Sequence, residues 1–189
     1  MLWFCVAGKI PIEPSSIRWP LAIEADKRSL KDYKFQKKLN NSIIIDNVNV
    51  DNYDLIYMAG GWGAAYDLGQ SKALGEKISE AYMKDKIIGS VCHGALGFLR
   101  AINEEGNSLI RDKHMTAVTD KQIKELGMTK TPLHPETELR KAGVDFESET
   151  AFLDTLANHV VRDGNIVTGQ NQNSGAMVAN LMMKLISND

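Results

Sequence analysis

A cysteine followed directly by a histidine lies in the segment Gly89-Ser90-Val91-Cys92-His93-Gly94-Ala95. The form is small-x-nucleophile-x-Gly. Between a strand and a helix this makes a tight, strained turn that holds the reactive side chain out at the top of a sheet. The free amides of the following helix then point at that side chain and favour negative charge there. A free thiol ionises near ~8.5. Bringing it to about 7 needs roughly 2 kcal/mol of preference for the thiolate. A helix N-terminus supplies up to about 2 kcal/mol in a partly buried setting, so the expectation is a Cys92 substantially anionic at neutral pH. Cysteine is by type a small core residue as often as a nucleophile, and it is the flanking glycines and His93 that favour a reactive thiol. Cys5 sits in an apolar run and reads as core.

Adjacent side chains usually diverge, so His93 need not be the base for Cys92. It can serve a substrate atom above the turn, or donate its backbone amide to an oxyanion. Its alternative is a structural ring paired with a carboxylate. A second turn, Gly60-Gly61-Trp62-Gly63, follows the apolar run Asp54 to Ala59. Glycines there let a backbone amide approach a ligand closely. Gly60 and Gly61 opposite the His93 amide would make an oxyanion pocket, with Trp62 at its wall. The histidines, at 93, 114, 134 and 159, show no metal-ligand spacing, and no metal or cofactor is expected.

These turns need elements to hold them. Leu2 to Ala7, Ser42 to Ile45, Asp54 to Ala59, Lys86 to Val91 and His114 to Thr119 have strand character. Helical patterns cover Glu24 to Leu39, a stretch from an N-cap at Ser71 to Met83, Asp120 to Leu126, and Pro135 to Ala142. Val160 to Arg162 and Ile166 to Thr168 flank Asp163-Gly164 as a hairpin. Ser174 caps a final helix with Met177, Val178, Leu181, Met182 and Leu185 on one face. Apolar strands alternating with helices predict an α/β fold with a mainly parallel sheet covered on both faces. Ligands on such sheets sit outside the carboxyl ends of the strands, where both unusual turns lie.

The 189 residues suit one domain, and 22 basic against 24 acidic residues, with no basic block, argue against nucleic acid as a partner. No apolar run approaches the roughly 18 residues of a membrane span. The start, MLWFCVAG, lacks a basic leader and is followed by Lys9 and two prolines, so it is not read as a signal peptide. With only two cysteines the expected location is the cytoplasm.

The two turns together, in NYDLIYMAGGWGAAYDL and KIIGSVCHGALGFL, resemble the ThiJ/PfpI superfamily, within the class I glutamine amidotransferase-like fold. HMTAVTD, ELGMTKTPLHPETELRKAG and HVVRDGNIVTGQNQNSGAMVA are similar to the second half of its heat-shock chaperone and glyoxalase III branch, and IPIEPSS to the loop after that branch's second strand. The likeness runs from about Phe4 to Leu185. It implies a flavodoxin-like three-layer sandwich, a homodimer, and a cofactor-independent enzyme. The implied substrate is methylglyoxal or a related small 2-oxoaldehyde, converted to a 2-hydroxy acid through a Cys92 hemithioacetal with His93 beside it. Other readings are a catalytically impaired chaperone-like or redox-sensing member, or an amidotransferase- or peptidase-like cysteine hydrolase.

The chain departs from the family in places. Relatives begin with a strand, a glutamate at its end and a helix, all before the strand matching Leu2 to Ala7. The resemblance therefore implies a single domain over 1–189 that lacks the family's first strand, first helix and glutamate, as a shortened version of a longer chain would. Glu13, in the matching loop, is a possible supporting acid. Branch members carry a further acidic residue where Gln122 aligns, with Asp120 two residues earlier as the other possible supporting acid. Relatives also often carry histidine where Trp62 stands.

Overall fold

The computed structural model describes residues 24–127, 130–150 and 152–187. The run Leu2 to Ala7, Cys5, the following prolines and Glu13 lie outside the described residues. The chain divides into two units, Met1–Val48 and Asn49–Asp189. Among the described residues, no helix is long and apolar enough to cross a membrane.

In the first unit the single helix expected over Glu24 to Leu39 is two, α1 (Glu24–Lys31) and α2 (Tyr33–Asn40). Asp32 divides them. Its backbone is extended, and its carboxylate accepts the Phe35 amide at 2.7 Å as the N-cap of α2. Aspartate competes with the helix for its own amides, so it starts a helix better than it continues one. A 3-10 turn, Ile45–Asn47, takes the end of the expected Ser42 to Ile45 strand.

The second unit carries the sheet. β1 (Leu55–Met58), β2 (Ile87–Val91), β5 (Val160–Asp163) and β6 (Ile166–Gly169) lie in the order β1-β2-β6-β5. β1, β2 and β6 are parallel, and β5 joins β6 as the expected antiparallel hairpin. Gly164 takes φ +59 at its turn. β2 is central and buried at every residue. On one face Ile87 and Val167 pack with Val178 and Met182 of α6 (Gly175–Ser187), helped by Leu55 and Tyr57. On the other, Met58 lies against the 3-10 helix Cys92–Arg100 and Leu74 of α3 (Lys72–Met83) lies beside it. Strand side chains alternate between faces, so both faces bury aliphatic groups and the sheet becomes the middle of three layers. The mainly parallel flavodoxin-like arrangement is therefore as expected.

Ser71 caps α3 as its sequence predicts, accepting the Leu74 amide at 3.1 Å. Other boundaries moved. Only His114–Met115 of the expected His114 to Thr119 run forms a strand, β3, paired in parallel with β4 (Asp145–Phe146). The next amide, of Thr116, donates at 2.9 Å to the Thr168 hydroxyl instead of to a ladder. α4 (Asp120–Glu125) and α5 (Pro135–Lys141) follow. Ser174 does not cap α6. It ends a 3-10 turn, Gln172–Ser174, where the Asn171 side chain accepts the Asn173 amide. Val178 and Met182 of the expected α6 face are buried, whereas Met177 is exposed.

The segment after Cys92 is a 3-10 helix of nine residues, longer than such helices usually run. Its period of three puts Gly94, Gly97 and Arg100 on one side. That side is pressed against its neighbours. A Cβ on Gly94 would overlap the Met58 carbonyl, one on Gly97 would overlap the Met58 sulfur, and Gly75 of α3 lies on the Arg100 backbone.

Candidate active site

β2 delivers its last residue, Val91, in register with Gly169 of β6, and Cys92 begins the turn beyond it. Cys92 has φ +57, left-handed backbone for a residue that is not glycine. Such a conformation costs an L-residue about 1 kcal/mol and persists where its surroundings impose it. They do so here. A Cβ on Gly60 would come 2.7 Å from the Cys92 Cβ and 2.7 Å from the Val91 carbonyl oxygen, so the end of β1 lies directly on the turn. Gly61 has φ +108, a conformation suited to glycine.

This close approach aims two backbone amides at one sulfur. The amides of His93 and Gly61 both donate to the Cys92 thiol. The Gly60-Gly61 turn and the cysteine turn thus lie against each other, with the His93 and Gly61 amides facing the sulfur. His93 departs from expectation in a useful way. Its side chain does not diverge from that of Cys92, and its Nδ1 lies 3.4 Å from the sulfur. The left-handed turn at Cys92 permits this contact between neighbours.

The electrostatics correct the charge expected from the helix dipole. Burial pushes the Cys92 thiol up to about 11, against the two amides, which pull it down. Burial also holds the His93 imidazole down to about 4, aided by the charge of His134. The resting site is therefore a neutral thiol beside a neutral imidazole. Desolvation of an anion outweighs two amide donors here. A pH titration of Cys92 alkylation checks this. The rate will rise about tenfold per pH unit from 7 to 10, with no plateau near neutrality, because the thiolate fraction grows until the pH passes the thiol's pKa. A plateau beginning below pH 8 would contradict it.

Trp62, next in the glycine turn, is half-buried at the start of a 3-10 turn, Trp62–Ala65. Asp120 is engaged by α5 instead of by the sulfur. Its carboxylate accepts the Thr137 hydroxyl at 2.5 Å and lies 3.6 Å from His134 Nδ1, while its amide donates to Glu136. Gln122 is fully buried, and neither end of its amide has a hydrogen-bond partner among the described residues. Two concavities, of about 510 and 290 Å³, lie elsewhere, one beside Tyr82, Arg111 and Lys113 and the other beside Leu99 and Leu133.

Sequence reading missed Tyr57 and His134 as neighbours of the site. Tyr57 reads as one more apolar strand residue, yet its phenol is pushed up to about 12 by burial and by the charge of Cys92. His134 directly precedes α5, and only the fold brings its charge to bear on His93.

Known proteins resemble this chain over most of its length. A putative glutathione-independent glyoxalase of Schizosaccharomyces pombe is 24% identical over 188 residues, covering 96% of this chain and 74% of the relative. A glutathione-independent glyoxalase of Saccharomyces cerevisiae is 28% identical over 155 residues, covering 79% of this chain and 64% of the relative. The match thus spans less than two thirds of that yeast protein. Among solved structures, Rapid Encystment Protein 24 kDa of Francisella tularensis superposes with a TM-score of 0.85 at 29% identity, over 94% of this chain and 76% of that one. Glyoxalase III of Candida albicans superposes with a TM-score of 0.87 at 24% identity, over 97% of this chain and 79% of that one, and shares the fold. The DJ-1/PfpI family pattern matches residues 22–185, and this chain, with its Cys92-His93 turn and parallel sheet, belongs to that family.

Proposed function

We propose that this chain is a cofactor-independent, glyoxalase III-like cysteine enzyme that converts methylglyoxal or a related 2-oxoaldehyde to a 2-hydroxy acid. The observation that carries the reading is the convergence on one sulfur of His93 Nδ1 at 3.4 Å and the amides of His93 and Gly61. The glyoxalase names of several relatives at 24–29% identity support it.

The chemistry follows from the charges. Burial holds the thiol up and the imidazole down, so a thiolate–imidazolium pair is disfavoured before substrate arrives. The proton therefore moves to His93 Nδ1 as the sulfur attacks the aldehyde carbon. The C–S bond forms, the aldehyde oxygen becomes the hemithioacetal oxyanion, and that oxyanion takes up a proton. The C1 hydrogen then leaves as a proton and its electron pair makes an enediol with the former ketone, whose oxygen takes up a proton; a proton next adds to C2 while the C1 hydroxyl proton is released, leaving a 2-hydroxy thioester. Water cleaves the C–S bond and releases the hydroxy acid and the thiol. The sum is one aldehyde plus one water, with no external oxidant or reductant. A nearby amide pair suits the oxyanion steps.

Incubation with methylglyoxal alone, without glutathione, tests the reading. Lactate will accumulate in step with aldehyde consumption. Adduct formation without lactate would reject it.

A further inference from the structure

We infer that Trp62 is the specificity-determining residue for the aldehyde's substituent, its indole face selecting 2-oxoaldehydes that carry an aromatic ring over methylglyoxal. The inference deepens the cysteine-enzyme reading and rests on Cys92 being its nucleophile.

The turn after β1 closes one side of the cysteine and leaves another open. A Cβ on Gly60 would come 2.7 Å from the Cys92 Cβ and 3.3 Å from the His93 amide nitrogen, so neither a side chain nor a substrate fits there. Gly61 and Gly63 are the opposite case. Both are exposed, and a Cβ on either would meet nothing within 4 Å among the described residues. Trp62 stands between them and carries the one side chain of the turn Gly60 to Gly63. The open space beside the Gly61 amide is thus walled, on the part of this turn, by a single indole.

The turn is fixed in place. Trp62–Ala65 has Ala64 and Ala65 as its buried residues and packs against the 3-10 helix Cys92–Arg100. The Ala64 amide donates to the Gly61 carbonyl at 3.1 Å. Small alanines do the packing, and the largest side chain of the turn is left half-buried. A tryptophan stabilises a fold chiefly through the large area it buries. One kept half at the surface, next to a nucleophile, instead offers the kind of aromatic wall that lines small-molecule sites.

Substrate geometry brings that wall into play. An aldehyde oxygen held by the Gly61 amide lies about 2.9 Å from its nitrogen. The carbon bearing the substituent is two bonds from that oxygen. The Trp62 Cα is about 3.8 Å from the Gly61 Cα. A methyl group on that carbon offers the indole little surface. A phenyl ring offers a face that stacks in the offset arrangement aromatic pairs favour. The class selected is therefore aryl 2-oxoaldehydes, of which phenylglyoxal is the simplest.

The test compares two substituents within each protein, so changes in the thiol itself cancel. Phenylglyoxal and methylglyoxal are given to the native chain, to Trp62→Leu and to Trp62→Phe. The ratio of kcat/KM, phenylglyoxal over methylglyoxal, will fall about tenfold in Trp62→Leu, which keeps apolar bulk without a ring, and stay within about twofold of native in Trp62→Phe. A merely structural tryptophan would lower both rates together and leave the ratio in place. The second measurement needs no turnover. Alkylation of Cys92 by phenacyl bromide and by bromoacetone, which differ in the same two substituents, will show the same fall in ratio in Trp62→Leu. An alkylation ratio unchanged in Trp62→Leu, or one that falls equally in Trp62→Phe, overturns the inference. Absence of hydroxy acid from either aldehyde, with the alkylation ratio shifted, would reject the proposed reaction and leave this assignment standing.

Discussion

Replacing Cys92 by alanine will lower methylglyoxal turnover at least about a thousandfold, because losing a covalent nucleophile removes the route through the adduct and leaves only binding and dipoles. The loss will fall on kcat, since the sulfur forms its bond after substrate is bound. Stability will hardly suffer. Cys92 is largely buried but small, and it sits at φ +57, so the side chain is kept against the preference of its own backbone. Cys92→Gly sharpens the point, since glycine adopts that φ freely. It will be as inactive as the alanine variant and about 1 kcal/mol more stable. Initial rates of lactate formation and urea midpoints for the three proteins measure both effects. Turnover in Cys92→Ala within tenfold of the native rate would remove the cysteine from the mechanism. A glycine variant less stable than the alanine one would show that the turn is not strained.

Gly94→Ala has the largest expected effect on folding. A Cβ at Gly94 would overlap the Met58 carbonyl oxygen and crowd the Ala59 oxygen. Both are backbone atoms at the end of β1, so no rotamer change relieves the clash. The strand end must move away, and it carries Gly60 and Gly61 with it. Overpacking against side chains costs about 1–3 kcal/mol, and a clash with backbone lies at or above the top of that range. Gly63→Ala is the matched control, since a Cβ there meets nothing within 4 Å. Its urea midpoint will stay within about 0.5 kcal/mol of native. If Gly94→Ala unfolds at the same denaturant concentration as Gly63→Ala, the close seat of the cysteine turn on β1 is wrong. If it folds but weakens, Cys92 alkylation will also change, because the Gly61 amide will have shifted from the sulfur.

Local patterns were legible wherever one residue type has one dominant use. Ser71 caps α3, and Asp163-Gly164 turns β5 into β6. The run Lys86 to Val91 shows no polar–apolar alternation because its core, β2, is covered on both faces. Patterns with two solutions misled. Asp32 has helical neighbours but caps α2. Ser174 precedes a helix, yet Asn171 supplies the side-chain acceptor. The expected His114 to Thr119 strand shortens because a Thr168 hydroxyl takes the next amide, a partner 52 residues away that no local reading contains.

The site divides along the same line. The order of residues alone determined that Cys92 would occupy a glycine-flanked turn after a buried strand and that Gly60 and Gly61 would end another, because small residues are what such close turns tolerate. Only the tertiary structure decided the state of the sulfur. Its ionisation depends on how much water the packed neighbours exclude, and on which amides and imidazoles arrive from the turns after β1 and β2. Those are sums over distant chain segments. Desolvation wins that sum here, and a thiol expected to be anionic rests protonated at neutral pH, beside a neutral His93.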